Sequence, residues 1–189
     1  MKVINIEFFQ IALETLSQAY IGNPGTSLVT GEDYTGKRLK RLMRYALFHS
    51  MAHHEAYISD DLQAVLLCLS SGRRQFSLKM MFLDVWLFLT VVGVFRVKRV
   101  LQRERLLRKH HPVNGEYLHL WFLAVKPNNR GQGFAGKLIQ EVLALAKSRE
   151  QTVIVETVEL AEYYQRFGFS EYAYLPSAVL PYHFLKYTG

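Results

Sequence analysis

Glycine and basic residues are concentrated in residues 128–138, which read NNRGQGFAGKL, a composition typical of loops that bind phosphate groups. Three sequence patterns of phosphate-binding loops fit these residues. The three glycines alone fit the dinucleotide pattern GxGxxG. Gly131 through Lys137 fit GxxxxGK, which is most of a Walker A loop. Arg130 through Ala135 fit a third pattern, R-x-x-G-x-A.

The first two patterns lack the neighbours that their chemistry needs. A dinucleotide loop follows its strand almost directly, whereas residues 126–130 intervene here, and too little chain follows Glu156, the candidate ribose-binding acid, to complete a doubly wound sheet. A Walker loop needs a Ser or Thr after its lysine to hold magnesium, and Leu138 stands there. We favour the third pattern, in which backbone N–H groups at a helix start bind a pyrophosphate and Arg130 adds charge. An ordinary glycine-rich helix start is the alternative.

Hydrophobic periodicity around this loop predicts one mixed α/β (α+β) domain spanning residues 1–189. The expected helices are residues 7–20, 36–53, 133–149 and 159–166. The expected strands are residues 55–58, 62–69, 116–125, 152–156, 170–174 and 181–187. A helical insertion of about residues 73–111 precedes the strand 116–125, and residues 22–25 (GNPG) are expected to form a turn.

The amino-acid composition limits the classes of protein to which this chain can belong. Half of the 189 residues are hydrophobic, which excludes an intrinsically disordered chain. The single cysteine, Cys68, excludes an internal disulfide framework and favours a reducing, cytoplasmic location. The first residues do not have the pattern of a signal peptide, because Asn5 and Glu7 interrupt the apolar segment.

The insertion contains an apolar segment, residues 80–95, followed by a basic one, residues 96–109. The apolar segment contains Asp84 and is shorter than the roughly 20 residues of a membrane span, so we expect a buried or dimer-facing helix and no integral span. The basic segment has seven basic residues and one acidic residue, so its net +6 accounts for most of the chain's +7.

We interpret the basic segment as a helix with an apolar stripe at Val97, Val100, Leu101 and Leu107 and a solvated outer face. A surface for acidic partners, membrane headgroups or the phosphates of a cofactor is the second interpretation. No nucleic-acid-binding module accompanies this segment, so we expect no nucleic-acid partner. His110 and His111 are expected to end the helix, where the helix dipole favours cations.

The segments LAVKPNNRGQGFAGKLIQEVL, VIVET and YYQRFGF, in this order, resemble the GNAT superfamily of N-acetyltransferases. Members have a strand ending in a hydrophobic-Ala-Val-x-Pro segment, an R-x-x-G-x-G/A loop, a buried strand and an aromatic-Tyr-x-x-x-Gly-Phe helix end. The resemblance covers the second half of the chain closely and the first half loosely. It implies a central, mostly antiparallel sheet with splayed central strands, flanked by helices.

The resemblance also implies direct transfer of an acetyl group from acetyl-CoA to the amine of a small molecule or peptide, with no metal. A catalytically inactive CoA-binding or sensing module of the same fold is the alternative. Acetyl-CoA would lie between the strand ending at Val125 and the strand 152–156. Its pantetheine arm would pair with the backbone of Leu123, Ala124 and Val125. Its pyrophosphate would contact the loop residues Arg130, Gly131, Gln132, Gly133, Phe134, Ala135 and Gly136.

Two side chains are candidates for proton transfer. His119 is the candidate base, because imidazole titrates near neutral pH and because the resemblance places a Glu or His base at this position. Strand alternation puts it on one face with Trp121, Leu123 and Val125, although a bulge would change that phase. The resemblance makes Tyr164 the acid that protonates the CoA thiolate and an additional cofactor contact. A packed histidine and a core aromatic are the alternative roles.

The acceptor site is less well defined by the sequence. The apolar segment that contains Trp86, together with Trp121, suggests a wall suited to an aromatic or aliphatic amine, and a homodimer contact explains these side chains equally well. The chain departs from many members at Leu160, where they have an Asn that contacts the CoA arm. This departure weakens the predicted cofactor contact on that side and favours the inactive alternative.

Overall fold

The computed structural model describes residues 1–33, 35–72, 78–112, 115–176 and 180–188. In this part of the chain, the strands are β1 (Lys2–Val3), β2 (Ala56–Ile58), β3 (Ala64–Ser70), β4 (Tyr117–Val125), β5 (Thr152–Thr157), β6 (Phe169–Leu175) and β7 (Tyr182–Tyr187). The α-helices are α1 (Phe9–Ala19), α2 (Pro24–Thr30), α3 (Lys37–Ala52), α4 (Leu78–Leu87), α5 (Val94–Arg108), α6 (Phe134–Ser148) and α7 (Ala161–Gln165). A π-helical turn, Phe88–Val92, follows α4, and a 3-10 turn, Pro127–Asn129, follows β4.

The strands form one sheet in the order β1-β2-β3-β4-β5-β7-β6. Only the β4–β5 pair is parallel, and every other neighbouring pair in the described sheet is antiparallel. The predicted fold class, a mixed α/β domain with a mostly antiparallel sheet, is confirmed.

The central strands β4 and β5 separate along their length. They pair from Tyr117 opposite Thr152 to Leu120 opposite Val155, which is four residues on each strand. Beyond Leu120, β4 continues along β3 to Val125, while the end of β5 pairs with β7. The predicted splay is therefore present, and it opens a gap beside the C-terminal half of β4.

A β-bulge at Trp121 changes the phase of β4. Phe122 lies opposite Leu67 and Leu120 lies opposite Cys68, so Trp121 is the extra residue on β4. The prediction that His119, Trp121, Leu123 and Val125 share a face is wrong for this reason. Trp121 and Phe122 both pack against the α1–α3 layer, whereas Leu123 and Val125 pack toward α6.

Helices cover both faces of the sheet. The first layer contains α1, α3 and the π-helical turn, and its buried side chains include Leu13, Leu47 and Val91. On the opposite face, α6 buries the stripe that its 3.6-residue period predicts, including Leu138 and Val142. The sheet is thus held between two apolar layers, and its inner strands are rigidly placed.

The segment predicted as a turn, residues 22–25, instead begins a helix. Asn23 caps α2, since its side chain accepts a hydrogen bond from the Thr26 N–H, and Pro24 occupies the first helical position, where the missing N–H costs nothing. The Asn-Pro pair was therefore a helix-start signal. The two-residue strand β1 was also not predicted.

The predicted insertion is helical, but Gly93, at φ 70° and ψ 154°, divides it. Residues 73–77 of the predicted insertion lie outside the described residues. The prediction that the apolar segment is buried holds for one face only: Leu87, Val91 and Val92 are buried, whereas Phe82 is 69% exposed. Within the described ranges, no helix combines the length and the apolar character needed to cross a bilayer.

We expect Arg149→Ala to destabilise the fold by about 3 kcal/mol, because it leaves a buried carboxylate without its ion pair. Glu55 is fully buried, accepts a hydrogen bond from Tyr57 at 2.6 Å, and accepts two from Arg149 at 3.0 and 3.2 Å. Urea unfolding measures the change. Lys147→Ala, at an exposed position two residues earlier, is the control and should change stability by no more than about 0.5 kcal/mol. Equal effects of the two substitutions would show that this pair does not stabilise the fold.

Candidate functional site

A cavity of about 830 Å³ lies between the splayed strands and the helical insertion, large enough for a small-molecule ligand. One end is lined by residues of α1, α2, β4 and α7, including Tyr20, Leu123 and Tyr164. The other end is lined by residues of α3, α4, α5 and the end of β5, including Trp121 and Glu156. The splay of the sheet therefore provides one continuous space that contacts both predicted catalytic residues, His119 and Tyr164.

Two histidines and a carboxylate form a cluster in the wall of this cavity. Glu156 Oε1 is hydrogen-bonded to Nε2 of His111 and lies 3.9 Å from Nε2 of His119. The two imidazole rings meet edge to face, with centroids 5.2 Å apart. His119 and Glu156 share a sheet face because their strands are parallel neighbours in the region before the bulge. His111 reaches them from the segment that follows α5.

Hydrogen bonding fixes the orientation of the His111 ring. An ionised carboxylate only accepts hydrogen bonds, so Nε2 of His111 donates to Glu156. The opposite nitrogen, Nδ1, lies 3.1 Å from the hydroxyl of Tyr117, which donates to it when the ring is neutral. Tyr117 thus holds His111 with one nitrogen directed at the carboxylate.

The two histidines keep Glu156 ionised. Burial alone would raise the pKa of this carboxyl group. The hydrogen bond from His111 and the electrostatic attraction of His119, His111 and Arg103 outweigh burial, so the pKa of Glu156 lies below its ordinary value. The cavity wall therefore presents a carboxylate at neutral pH, and this carboxylate can stabilise a positive charge on either imidazole.

The same three side chains have the composition of a transition-metal site. One donor atom from each lies within 4.8 Å of the others. Two imidazoles and one carboxylate form the protein ligand set of some catalytic zinc sites. These residues could hold a divalent ion, although Glu156 and His111 already satisfy each other through their hydrogen bond.

The backbone of Leu123 faces the gap between β4 and β5 and contacts a tyrosine from α1. The Tyr20 hydroxyl accepts a hydrogen bond from the Leu123 N–H at 3.2 Å and donates one to its carbonyl oxygen at 3.1 Å. Burial raises the pKa of Tyr20 to about 12, although the hydrogen bond with Leu123 opposes this shift. One side chain therefore satisfies both backbone groups of Leu123, one of the three residues whose backbone is predicted to pair with a cofactor arm.

Tyr164 lies at the same end of the cavity, on the short helix α7. Its ring packs edge to face against Tyr163 and Phe169, and only 5% of the residue is exposed. Burial raises the pKa of Tyr164 well above the ordinary value for tyrosine. The hydroxyl therefore keeps its proton throughout the neutral range.

The glycine loop lies at the start of α6, on the surface. Gly131 and Gly133 have φ of 78° and 83°, a conformation that other residues rarely adopt, and a Cβ at either position would meet open space. At Gly136, a Cβ would come within 3.0 Å of the Phe167 ring, so this glycine is needed for packing rather than for backbone freedom. The loop therefore leaves the first N–H groups of α6 accessible to an anion.

The other predicted cofactor residues are placed as follows. The Arg130 side chain donates a hydrogen bond to the Ala19 carbonyl at the end of α1, at 3.1 Å. Ala124 is buried in the α1–α3 layer. Residues 130–136 are all described, and none of them lines the cavity. The structure brings together His119, Trp121, Leu123 and Tyr164, and it leaves the loop at the surface beyond them.

Aromatic side chains form the wall at the end of the cavity near α3. Trp121 packs edge to face against Tyr45 and His49, at centroid distances of 6.3 and 5.8 Å. Tyr45 donates a hydrogen bond to Asp84 at 2.6 Å, and Asp84 also lines the cavity. Trp86, the other predicted wall residue, is half-buried on α4 and is not among the cavity-lining residues of the described chain.

Three residues of this site were not predicted as site residues. His111 was interpreted as a helix end, Glu156 as the ribose-binding acid of a dinucleotide fold, and Tyr20 as the last residue of a helix. Among these three residues, the sequence indicates a site residue only at Glu156, because a lone carboxylate stands there at the end of a fully apolar strand.

Comparisons with known proteins agree with this fold. Residues 86–171 match the family model described as acetyltransferase (GNAT) domain. A comparison with curated protein sequences gives no match. The histone acetyltransferase HPA2 and related acetyltransferase of Corynebacterium glutamicum superposes with a TM-score of 0.70, covering 98% of this chain and 93% of that chain at 17% identity.

Two further solved structures share the fold. Arylalkylamine N-acetyltransferase 2 from Aedes aegypti has a TM-score of 0.65, covering 98% of this chain and 96% of that chain at 16% identity. A chain of the NatC complex bound to Gag peptide and CoA has a TM-score of 0.54, covering 99% of this chain and 94% of that chain at 13% identity. The family model spans β4, the glycine loop, α6, β5 and α7, and the shared fold extends over nearly the whole chain. Residues 86–171 therefore match a GNAT acetyltransferase domain, and nearly the whole chain shares the fold of these solved acetyltransferases.

Proposed function

We propose that this protein transfers an acetyl group from acetyl-CoA directly to the amine of a small molecule or peptide. The observation that carries the proposal is the convergence of the His111–Glu156–His119 cluster and Tyr164 on one cavity, at the point where β4 and β5 separate. A base and an acid that line one space are what acyl transfer from a thioester to an amine needs.

The histidine cluster removes protons from the amine. An ammonium group is not a nucleophile, so it must lose one proton before its nitrogen attacks the thioester carbonyl and a second as the amide forms. We assign His119 as the acceptor: it takes the first proton and releases it to solvent before the attack, and it takes the second as the amide forms. Glu156, ionised at neutral pH, stabilises the imidazolium that results, and His111 and Tyr117 hold the carboxylate in place.

Tyr164 acts on the leaving group. When the tetrahedral adduct collapses, the C–S bond breaks and the sulfur leaves with the electron pair as a thiolate. We assign the Tyr164 hydroxyl as the donor that converts this thiolate to CoA thiol. Its raised pKa keeps the proton on the phenol through the neutral range, so the donor is in its protonated form when the C–S bond breaks. The same burial makes a thiolate formed in this space a stronger base than it is in water, which allows the proton to pass to sulfur, and the phenolate then regains a proton from solvent.

We assign the cofactor to the gap between β4 and β5. The pantetheine arm would use the N–H and C=O of Leu123 and the backbone of Ala124 and Val125. The pyrophosphate would use loop residues 130–136 at the start of α6, of which residues 130–133 are exposed. The NatC complex, one chain of which shares this fold, is bound to CoA, which supports CoA as the cofactor to test.

The far end of the cavity suits an amine with an apolar or aromatic body. Trp121 and Tyr45 provide flat surfaces, and the carboxyl groups of Asp84 and Glu156 attract a cationic group. The Aedes aegypti neighbour is an arylalkylamine N-acetyltransferase, which supports testing this class of amine first.

A thiol-release assay with acetyl-CoA and a panel of arylalkylamines, polyamines and peptides tests the proposed function. We expect turnover with at least one amine, and a chelator should not reduce it. Loss of turnover on chelation, restored by zinc, would reassign the His111–Glu156–His119 cluster as a metal site. CoA binding without turnover on any amine would support the inactive CoA-binding module instead.

We expect His119→Ala to lower kcat about 100-fold, since a positioned base contributes at least this factor. Glu156→Gln should lower kcat less and should move the acidic limb of the rate–pH profile to lower pH, because a neutral amide no longer favours the imidazolium. Both are measured by the thiol-release assay between pH 5 and 9, a range of roughly two units on either side of neutrality. His183→Ala removes a histidine paired with a carboxylate, Glu171, outside the cavity and is the matched control. An unchanged kcat in His119→Ala would remove this residue from the mechanism.

We expect Tyr164→Phe to lower kcat about 10- to 100-fold while leaving the Kd for CoA unchanged, because only the thiolate lacks its proton donor. Steady-state kinetics and calorimetric titration measure the two quantities. Tyr163→Phe removes the hydroxyl of the adjacent tyrosine and should leave kcat unchanged. If both variants lose activity equally, packing rather than proton donation explains the effect.

We expect Tyr20→Phe to tighten CoA binding about three- to tenfold, the value of roughly one net hydrogen bond. In the wild type, the cofactor must displace the Tyr20 hydroxyl from Leu123, and phenylalanine removes this competitor. Calorimetric titration with CoA measures the change. Tyr45→Phe, which removes a cavity hydroxyl bonded to Asp84 rather than to the backbone, should leave the Kd unchanged. Unaltered affinity in Tyr20→Phe would show that CoA does not use the backbone of Leu123.

A further inference from the structure

The helical insertion exposes an apolar stripe on its outer face. Leu78, Phe82, Val85 and Leu89 follow one another at helical spacing and are 61%, 69%, 49% and 71% exposed. The opposite face of the same segment, which includes Asp84, lines the cavity. A continuous apolar stripe of this kind on a protein surface marks a contact site.

A basic helix face borders this stripe. Lys98 and Arg105, two turns apart on α5, line a groove of about 480 Å³ together with Leu89 and Leu101. Lys98, Leu101 and Arg105 are exposed. Apolar side chains and cations therefore lie side by side, where α5 runs along the π-helical turn after α4.

This combination fits a lipid surface better than it fits a second copy of the chain. A two-fold dimer brings the same patch of both copies together, so Lys98 and Arg105 of one copy would approach those of the other. Juxtaposed like charges oppose such a contact. An anionic bilayer instead accepts both groups, because the apolar side chains enter the acyl boundary and the cations bind headgroup phosphates and carboxylates.

We infer that the outer face of the insertion, formed by Leu78, Phe82, Val85, Leu89, Lys98 and Arg105, docks the protein peripherally on an anionic lipid surface. The contact is interfacial and needs no spanning helix. Phe88 and Leu101 line both the groove and the cavity, so the docked surface lies one side chain away from the candidate site. The inference rests on exposure and charge, and it holds whether or not the protein acetylates an amine.

Co-sedimentation of the full chain with vesicles tests this inference. We expect binding to phosphatidylcholine vesicles that contain about 30 mol% phosphatidylserine, little binding to pure phosphatidylcholine, and release at about 0.5 M salt. Lys98→Glu/Arg105→Glu should weaken partitioning at least about 25-fold, since each basic residue contributes about fivefold. Phe82→Glu and Leu89→Glu should each weaken it at least about tenfold.

Matched controls change the same charge or hydrophobicity elsewhere. Lys147→Glu/Lys186→Glu makes the same charge change at two exposed positions on α6 and β7. Ile6→Glu replaces another highly exposed apolar residue. Both control variants should bind vesicles as the wild type does. Equal binding to neutral and anionic vesicles, or unweakened binding by the Lys98→Glu/Arg105→Glu variant, would overturn the inference. A dimer in sedimentation velocity that Leu89→Glu dissociates, with no vesicle binding by the wild type, would assign the surface to a second copy instead.

Discussion

The early separation of β4 and β5 is the constraint on which the candidate site depends. These strands pair over only four residues, while β4 stays paired with β3 along its other edge to Val125 and β5 stays paired with β7 along its other edge to Thr157. Backbone groups that a continuous sheet would satisfy internally are therefore directed into a cavity. Buried backbone groups require partners, and Tyr20 supplies them at Leu123. A ligand that pairs with this strand must replace that hydroxyl.

The bulge at Trp121 sets the chemistry of the cavity wall. On the N-terminal side of the bulge, β4 is still paired with β5, so His119 and Glu156 lie on the same face of the sheet. On its C-terminal side, the phase reverses, and Leu123 turns toward α6 while Trp121 faces α3. One inserted residue thus separates a wall with titratable groups from a backbone that is open to a cofactor arm.

The helical insertion has two faces, each directed at a different environment. Its inner face closes the cavity with Asp84, Leu87 and Phe88, and its outer face presents apolar and basic side chains to the surroundings. Gly93 makes this arrangement feasible, because the break in the helix lets α5 fold back beside the π-helical turn instead of continuing in line. A single straight helix could not line the cavity along both of its halves.

The sequence by itself determined the elements whose signals are local. The period of α6 and the apolar run of β5 predicted their positions to within two residues. The order of the strand, the glycine loop and the Tyr-x-x-x-Gly-Phe segment predicted the fold, and these segments lie within the residues that match a GNAT acetyltransferase domain. The short helix α2 also had a local signal, the Asn-Pro capping pair, but it was interpreted as a turn.

Only the tertiary structure decided what depends on residues distant in the sequence. The bulge follows from the pairing of β4 with β3, so strand alternation alone gave the wrong face to Leu123 and Val125. His111 joins Glu156 and His119 because α5 ends beside the sheet, 45 residues before Glu156 along the chain. Tyr20 reaches Leu123 across 103 residues. Periodicity describes one segment at a time, whereas a site made from several segments exists only after the sheet and its helices have packed.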